Sequence, residues 1–178
     1  MPRSCFILLV SFLLLPSAAV ALPISLPHQI IDTSRVQSAE KLMKIADLIV
    51  AGRYHSPTQT VRTGRKVNAG QIVTYIQPFE IKQLLKGRAG SVIRIASSGV
   101  DPLPPAKDPL NTKYPGPMAE GDYVCFLKRL DRQNIYYVIG GWQGVYPLYN
   151  GQLIALQDAG FPSFQGLTIA QLRQLLKQ

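Results

Sequence analysis

Cys125 is the residue with the clearest chemical potential, because a thiolate can attack a carbonyl carbon. The chain has 178 residues, with two cysteines and two histidines. Tyr123, Cys125 and Leu127 alternate with Val124 and Phe126, so both faces of this segment read as buried and Cys125 reads as an inert core thiol. A small hydrolase using Cys125 is therefore the lesser reading. His28 and His55 stand in loop-like segments with no Asp, Glu or Cys at ligand spacing, which argues against a metal site. No Gly-x-Ser-x-Gly, phosphate-binding loop or His-Glu-x-x-His occurs, and the ten acidic residues are scattered singly. The chain reads as a non-enzyme that needs no cofactor.

Recognition chemistry is better represented. Net charge is +9, and cations gather at Arg53, Arg62, Arg65 and Lys66 and again at Lys128, Arg129 and Arg132. Such groups attract phospholipid headgroups, acidic glycans or an acidic protein, or they simply keep a surface solvated. Tyr136, Tyr137, Trp142, Tyr146 and Tyr149 crowd the last third of the chain. Strand alternation sends Tyr136 and Tyr137 to opposite faces, so part of this aromatic set should meet water and could serve as a rigid contact patch. The expected binding residues are Trp142, Tyr137 and Tyr146, with Arg62, Arg65 and Lys66 steering.

These residues need a scaffold, and the sequence describes a mainly β one. Ser38 can cap a short helix through Ala46, with Glu40 in its first turn. A strand follows over 46–52. Residues 55–70 have loop composition. A long strand runs from Gln71 to Lys82, where Pro78 implies an edge position or a bulge. Leu84–Gly87 is expected to turn the chain into a strand over Ser91–Ala96. Ser98–Met118 holds six prolines in 21 residues, the mark of a lid-like or mobile loop. Strands are then expected over Asp122–Leu130 and Ile135–Ile139, and a bulge or sharp bend where glycines bracket Trp142. Val145–Tyr149 and Gln152–Leu156 flank Asn150-Gly151, the strongest short hairpin signal. Thr168 and Gln171 fit a capping box opening a C-terminal helix, and Leu167 with Leu172 a hydrophobic staple. The expected fold is an OB-fold-like small antiparallel β-barrel over 38–178, with a short leading helix and a trailing helix that caps it; a small sandwich is the rival.

Residues 1–21 have the anatomy of a signal peptide. Arg3 supplies the positive start, Cys5–Leu15 the apolar middle, and Ala19-Val20-Ala21 the small residues before cleavage. That apolar run is about half of what a spanning helix of roughly 20 residues needs. Removing 21 residues from 178 leaves 157, and losing Arg3 lowers the net charge from +9 to +8. Residues 22–37 read as an extended lead-in. Cys125 is left as the single cysteine, which fits a bacterial periplasm or exterior better than a disulfide-rich secretory route. No transmembrane segment is expected after cleavage. Single-stranded nucleic acid would suit basic charge and aromatics on such a barrel, but export makes it an unexpected ligand.

Ala46-Asp47-Leu48-Ile49-Val50-Ala51-Gly52-Arg53, preceded by a short helix, resembles the first strand of netrin-like and tissue-inhibitor-of-metalloproteinases domains. Phe79–Gly87 resembles their second strand and its exit, and Gly121–Leu127 and the late helix follow in similar order. The resemblance implies an OB-fold barrel. It implies no inhibitory residue, because that family uses an amino-terminal cysteine where this chain would begin Leu22-Pro23, and the family's disulfides are absent. The expected function is an exported binding module for a protein or an anionic cell-envelope component. The alternative is an inhibitor or modulator of an exported protease that presents the proline-rich loop as a plug.

Overall fold

A computed structural model describes residues 31–56, 58–67, 70–130 and 134–178. The expected signal peptide, most of the lead-in, His28 and Arg132 lie outside the described residues.

The fold is mainly β, with short helices near both ends. Helix α1 (Ala39–Ile45) starts where Ser38 accepts a hydrogen bond from Lys41 N, as the cap pattern requires. Among the described residues eight strands follow: β1 (Leu48–Tyr54), β2 (Gln59–Val67), β3 (Gly70–Lys86), β4 (Val92–Asp101), β5 (Gly121–Arg129), β6 (Ile135–Val138), β7 (Val145–Tyr149) and β8 (Gln152–Leu153). A four-residue helix α2 (Leu110–Lys113) interrupts the proline-rich segment, and α3 (Ile169–Leu175) ends the chain behind the expected Thr168–Gln171 capping box. Asn150 and Gly151 both take positive φ, 50° and 76°, as a tight hairpin turn between β7 and β8 demands.

Strand β3 organises the sheet. One edge pairs with β2 along its first half and with β1 along its second, while the other edge pairs with β4. Pro78 sits where the first edge passes from β2 to β1. Its carbonyl accepts a hydrogen bond from His55 N at 3.1 Å. A residue's N–H and C=O point to the same side of a strand, so the missing donor of Pro78 faces the β1–β2 connection and costs no ladder bond. β1 pairs with β5 on its other side, β5 with β6 and β7, and β4 with β6 in parallel.

Several expectations are corrected. The sheet is mixed rather than antiparallel, because the chain between β4 and β6 includes the proline-rich segment and β5, a connection long enough to bring β6 back beside β4 in the same direction. Residues 59–67 form a strand instead of loop. Their side chains are mostly exposed, which erases the apolar alternation that normally reveals one. β3 continues through Lys86, and the turn begins at Gly87. β4 extends to Asp101, so the loop starts later than Ser98. β8 is two residues long, much shorter than expected.

Alternation along the strands feeds two cores. Val50, Tyr54, Phe79, Ile93, Ile95, Cys125, Leu127, Tyr136 and Val145 fill one. Ile49, Ala51, Val124, Phe126 and Tyr146 face the other, which Leu42 of α1, Phe164 and Leu172 of α3 cover. Both faces of β1 and β5 are thus buried, as the pattern at 123–127 implied. No helix among the described residues is long and apolar enough to cross a membrane.

Candidate functional site

Two buried glutamines fix the irregular segments. Gln143 Oε1 accepts from Val36 N at 2.6 Å and its Nε2 donates to Val36 O at 3.1 Å, clamping residues 31–37 to the turn after β6. Gln77 does the same at Met118, donating to its carbonyl at 2.8 Å and accepting from its N–H at 2.7 Å. Each amide supplies one donor and one acceptor, as a neighbouring strand would. Ser97 Oγ donates to Gly116 O at 2.7 Å, and Gly116 N donates to Ser98 O at 2.9 Å. The end of the proline-rich segment, expected as a lid-like or mobile loop, is therefore tied to the sheet by buried side chains at Gly116 and Met118. Among the described residues, no buried side-chain polar atom lacks a partner.

Trp142 lies in a 3₁₀ turn over Gly141–Gly144. Gly140 and Gly141 enter it with φ of 65° and 59°, and a Cβ on Gly140 would come within 2.9 Å of Gln143 Oε1. Glycine is needed there for both backbone and space. The indole Nε1 donates to Asn111 O at 2.7 Å, tying Trp142 to α2. Trp142 is half-buried, packing in part against the core that Val145 and Tyr136 help to fill.

Three cavities here share lining residues, and Trp142 lines two of them. The central one, about 590 Å³, is bounded by Ser34 and Arg35, by Pro109, Thr112 and Lys113, and by Trp142 and Asp158. A second of about 620 Å³ shares Trp142, Pro109, Thr112 and Asp158 and reaches Lys107 and Gln157. A third of about 360 Å³ shares Ser34, Arg35 and Gly140 and reaches Asp32, Lys41, Lys128 and Tyr137. The first two, which share Trp142, form one groove of the size that ligand sites occupy, and the third adjoins it across Ser34, Arg35 and Gly140. The cations lining the three, Arg35, Lys41, Lys107, Lys113 and Lys128, outnumber the acids, Asp32, Asp108 and Asp158. Arg35 Nη2 donates to Asp158 O at 3.1 Å, bridging the groove's two walls. The Asp32 carboxyl is held below its ordinary value by hydrogen bonds from Ser34, with the Lys128 charge assisting. Burial raises the Tyr137 hydroxyl, with the charges of Asp32 and Asp47 adding to it.

The structure thus places Trp142 in the groove and Tyr137 in the adjoining cavity, with Arg35 lining both, and leaves the other expected contacts elsewhere. Tyr146 is fully buried, stacked edge-on against Phe126 and Phe164, and its oxygen accepts from Phe161 N at 3.1 Å. Burial pushes its hydroxyl up to about 12. Its expected contact role is corrected, because α3 and the turn at Phe164 cover the face that seemed wet. Arg62, Arg65 and Lys66 are exposed on β2, which pairs only with β3 among the described residues, and none of the three lines the groove. The register slips between Arg62 and Lys66, and Thr63 Oγ1 donates to Ile72 O at 2.5 Å. Cations and a bulge are what guard an open edge against pairing with another chain.

The remaining candidates are spoken for. Arg53 and Lys82 both reach Asp122 Oδ1, at 3.5 and 2.9 Å, and His55 Nε2 lies 3.1 Å from Glu80 Oε2. Arg129 donates to the Tyr136 hydroxyl at 2.8 Å. Cys125 is buried beside Tyr54, and burial pushes its thiol up to about 12, so no thiolate forms near neutral pH. Among the described residues no group of three or more His, Cys, Asp or Glu stands close enough to hold a metal. Arg35, Lys113 and the two glutamine clamps were missed in the sequence. Their partners lie far away along the chain, and no local pattern marks them.

No family model, curated protein or solved structure matches the chain.

Proposed function

We propose that the protein is an exported, non-enzymatic binding module with an OB-fold-like barrel as its scaffold, holding an elongated envelope ligand in the groove at Trp142. The strand pairings support the barrel. They run β1 to β3, β4, β6, β5 and back to β1, and side chains from all five strands meet in one core. Export rests on the composition of residues 1–21.

The observation that carries the binding reading is the convergence on one cavity of Trp142, Arg35 and Lys113, from three separate segments. An aromatic fixed by its own N–H, with cations along the walls, is suited to a ligand that has apolar faces and negative charge. The experiment is retention of envelope and secreted components on the immobilised protein at low and moderate salt, with Trp142→Ala beside it. Components held at moderate salt by the parent and released by Trp142→Ala are expected. Retention that ignores Trp142 and washes away with salt would overturn the reading.

A further inference from the structure

We propose that the groove takes an acidic oligosaccharide, one sugar ring lying against Trp142 and its carboxylate or phosphate lying between Arg35 and Lys113. The inference rests on the groove reading above and names its ligand class.

The first argument is the state of the indole. Its one polar atom is already bonded to Asn111 O, so what Trp142 has left to present is ring surface. The π face is electron-rich and attracts the weakly positive C–H face of a pyranose ring. The second is charge. Arg35 and Lys113 line the same cavity as that ring, and both are exposed. A guanidinium fits a carboxylate or phosphate with paired hydrogen bonds. The third is the nature of the walls. Residues 32–37, the 3₁₀ turn, the segment 106–113 and residues 156–159 supply most of the lining, and none of these is a strand edge. A peptide bound by strand addition needs such an edge, so that mode of peptide recognition has no template here. A sugar chain needs no ladder and uses ring faces and scattered polar groups instead. The groove on the two sides of Trp142, about 590 and 620 Å³, has room for more than one sugar residue.

Trp142 is the single tryptophan of the chain, so its emission reports this site alone. The experiment titrates the purified protein with tetragalacturonate, with its fully methyl-esterified counterpart, and with hexaglutamate. A saturable change in emission with tetragalacturonate is expected, and little change with the uncharged ester. Arg35→Gln, at an exposed position, should weaken the tetragalacturonate response roughly tenfold, the loss of one charge-assisted pair. Trp142→Phe, followed by calorimetry and checked by a melting curve, should weaken it as well. An equal response to acid and ester, an unchanged Arg35→Gln, or no response to tetragalacturonate overturns the inference. A response to hexaglutamate alone also overturns it, while leaving the groove reading intact. Should retention of envelope components also ignore Trp142, the groove reading falls too.

Discussion

Two regions of this molecule are rich in positive charge, and they differ in everything else. On β2, Arg62, Arg65 and Lys66 stand exposed along an open sheet edge, beside a register slip. In the groove, Arg35 and Lys113 stand beside a fixed aromatic ring within a concave surface. Exposed charge on a convex edge is screened by salt beyond about 10 Å and gives little energy to any one partner. Arg35 and Lys113 are exposed as well, and what sets them apart is that they line a cavity together with the ring. On the proposed reading, charge density alone does not pick out the binding region, whereas concavity with an anchored ring does. The edge cations then serve to keep β2 from pairing with other chains.

That contrast can be broken most sharply at Trp142. Trp142→Ala should reduce retention of the groove's ligand at least about thirtyfold, the roughly 2 kcal/mol that marks an aromatic anchor, as read by calorimetry or by the concentration needed for half-retention. Next comes the clamp. Gln143→Ala leaves Val36 N–H and C=O without their partner, and stability should fall by about 2 kcal/mol in a urea titration. Because residues 32–37 form one wall, ligand affinity should fall with it.

Asp32 gives a smaller effect with a defined pH sign. Its folded value lies below the ordinary 3.8, so its carboxylate contributes stability above that pH and loses the contribution as pH falls through the folded value. Asp32→Asn should be less stable than the parent at pH 7 by under about 1 kcal/mol, since the group is exposed. The gap should narrow in melts taken progressively below the ordinary carboxylate value. Smallest of all, replacing Arg62, Arg65 and Lys66 with alanine should leave ligand retention at moderate salt within about twofold. The same variant should self-associate more readily in light scattering, because the β2 edge loses its guard.

Much of the scaffold was legible in the chain because its signals are local. Ser38, the Thr168–Gln171 box and Asn150-Gly151 act on backbone groups within three residues of themselves. The alternation at 123–127 reports a strand buried on both faces. β2 was illegible because an exposed edge has no apolar period to read. The order of the proline-rich segment was hidden for another reason: Gln77 meets Met118, 41 residues away, and Gln143 meets Val36, 107 residues away. A glutamine looks the same in a sequence whether it faces water or stands in for a strand. Tyr146 misled because the face it occupies is covered by residues 164 and 172, which follow it in the chain. Trp142 and Tyr137 were found as aromatics, but Arg35, which joins their two cavities, carries no mark in its neighbourhood.

The most direct test compares two variants matched in charge. Arg35→Ala/Lys113→Ala and Arg62→Ala/Arg65→Ala each remove two positive charges, one pair from the groove and one from the edge. Retention of envelope components at moderate salt should drop sharply for the groove pair and stay near the parent's for the edge pair. Equal losses in both, or a greater loss in the edge pair, would contradict the account.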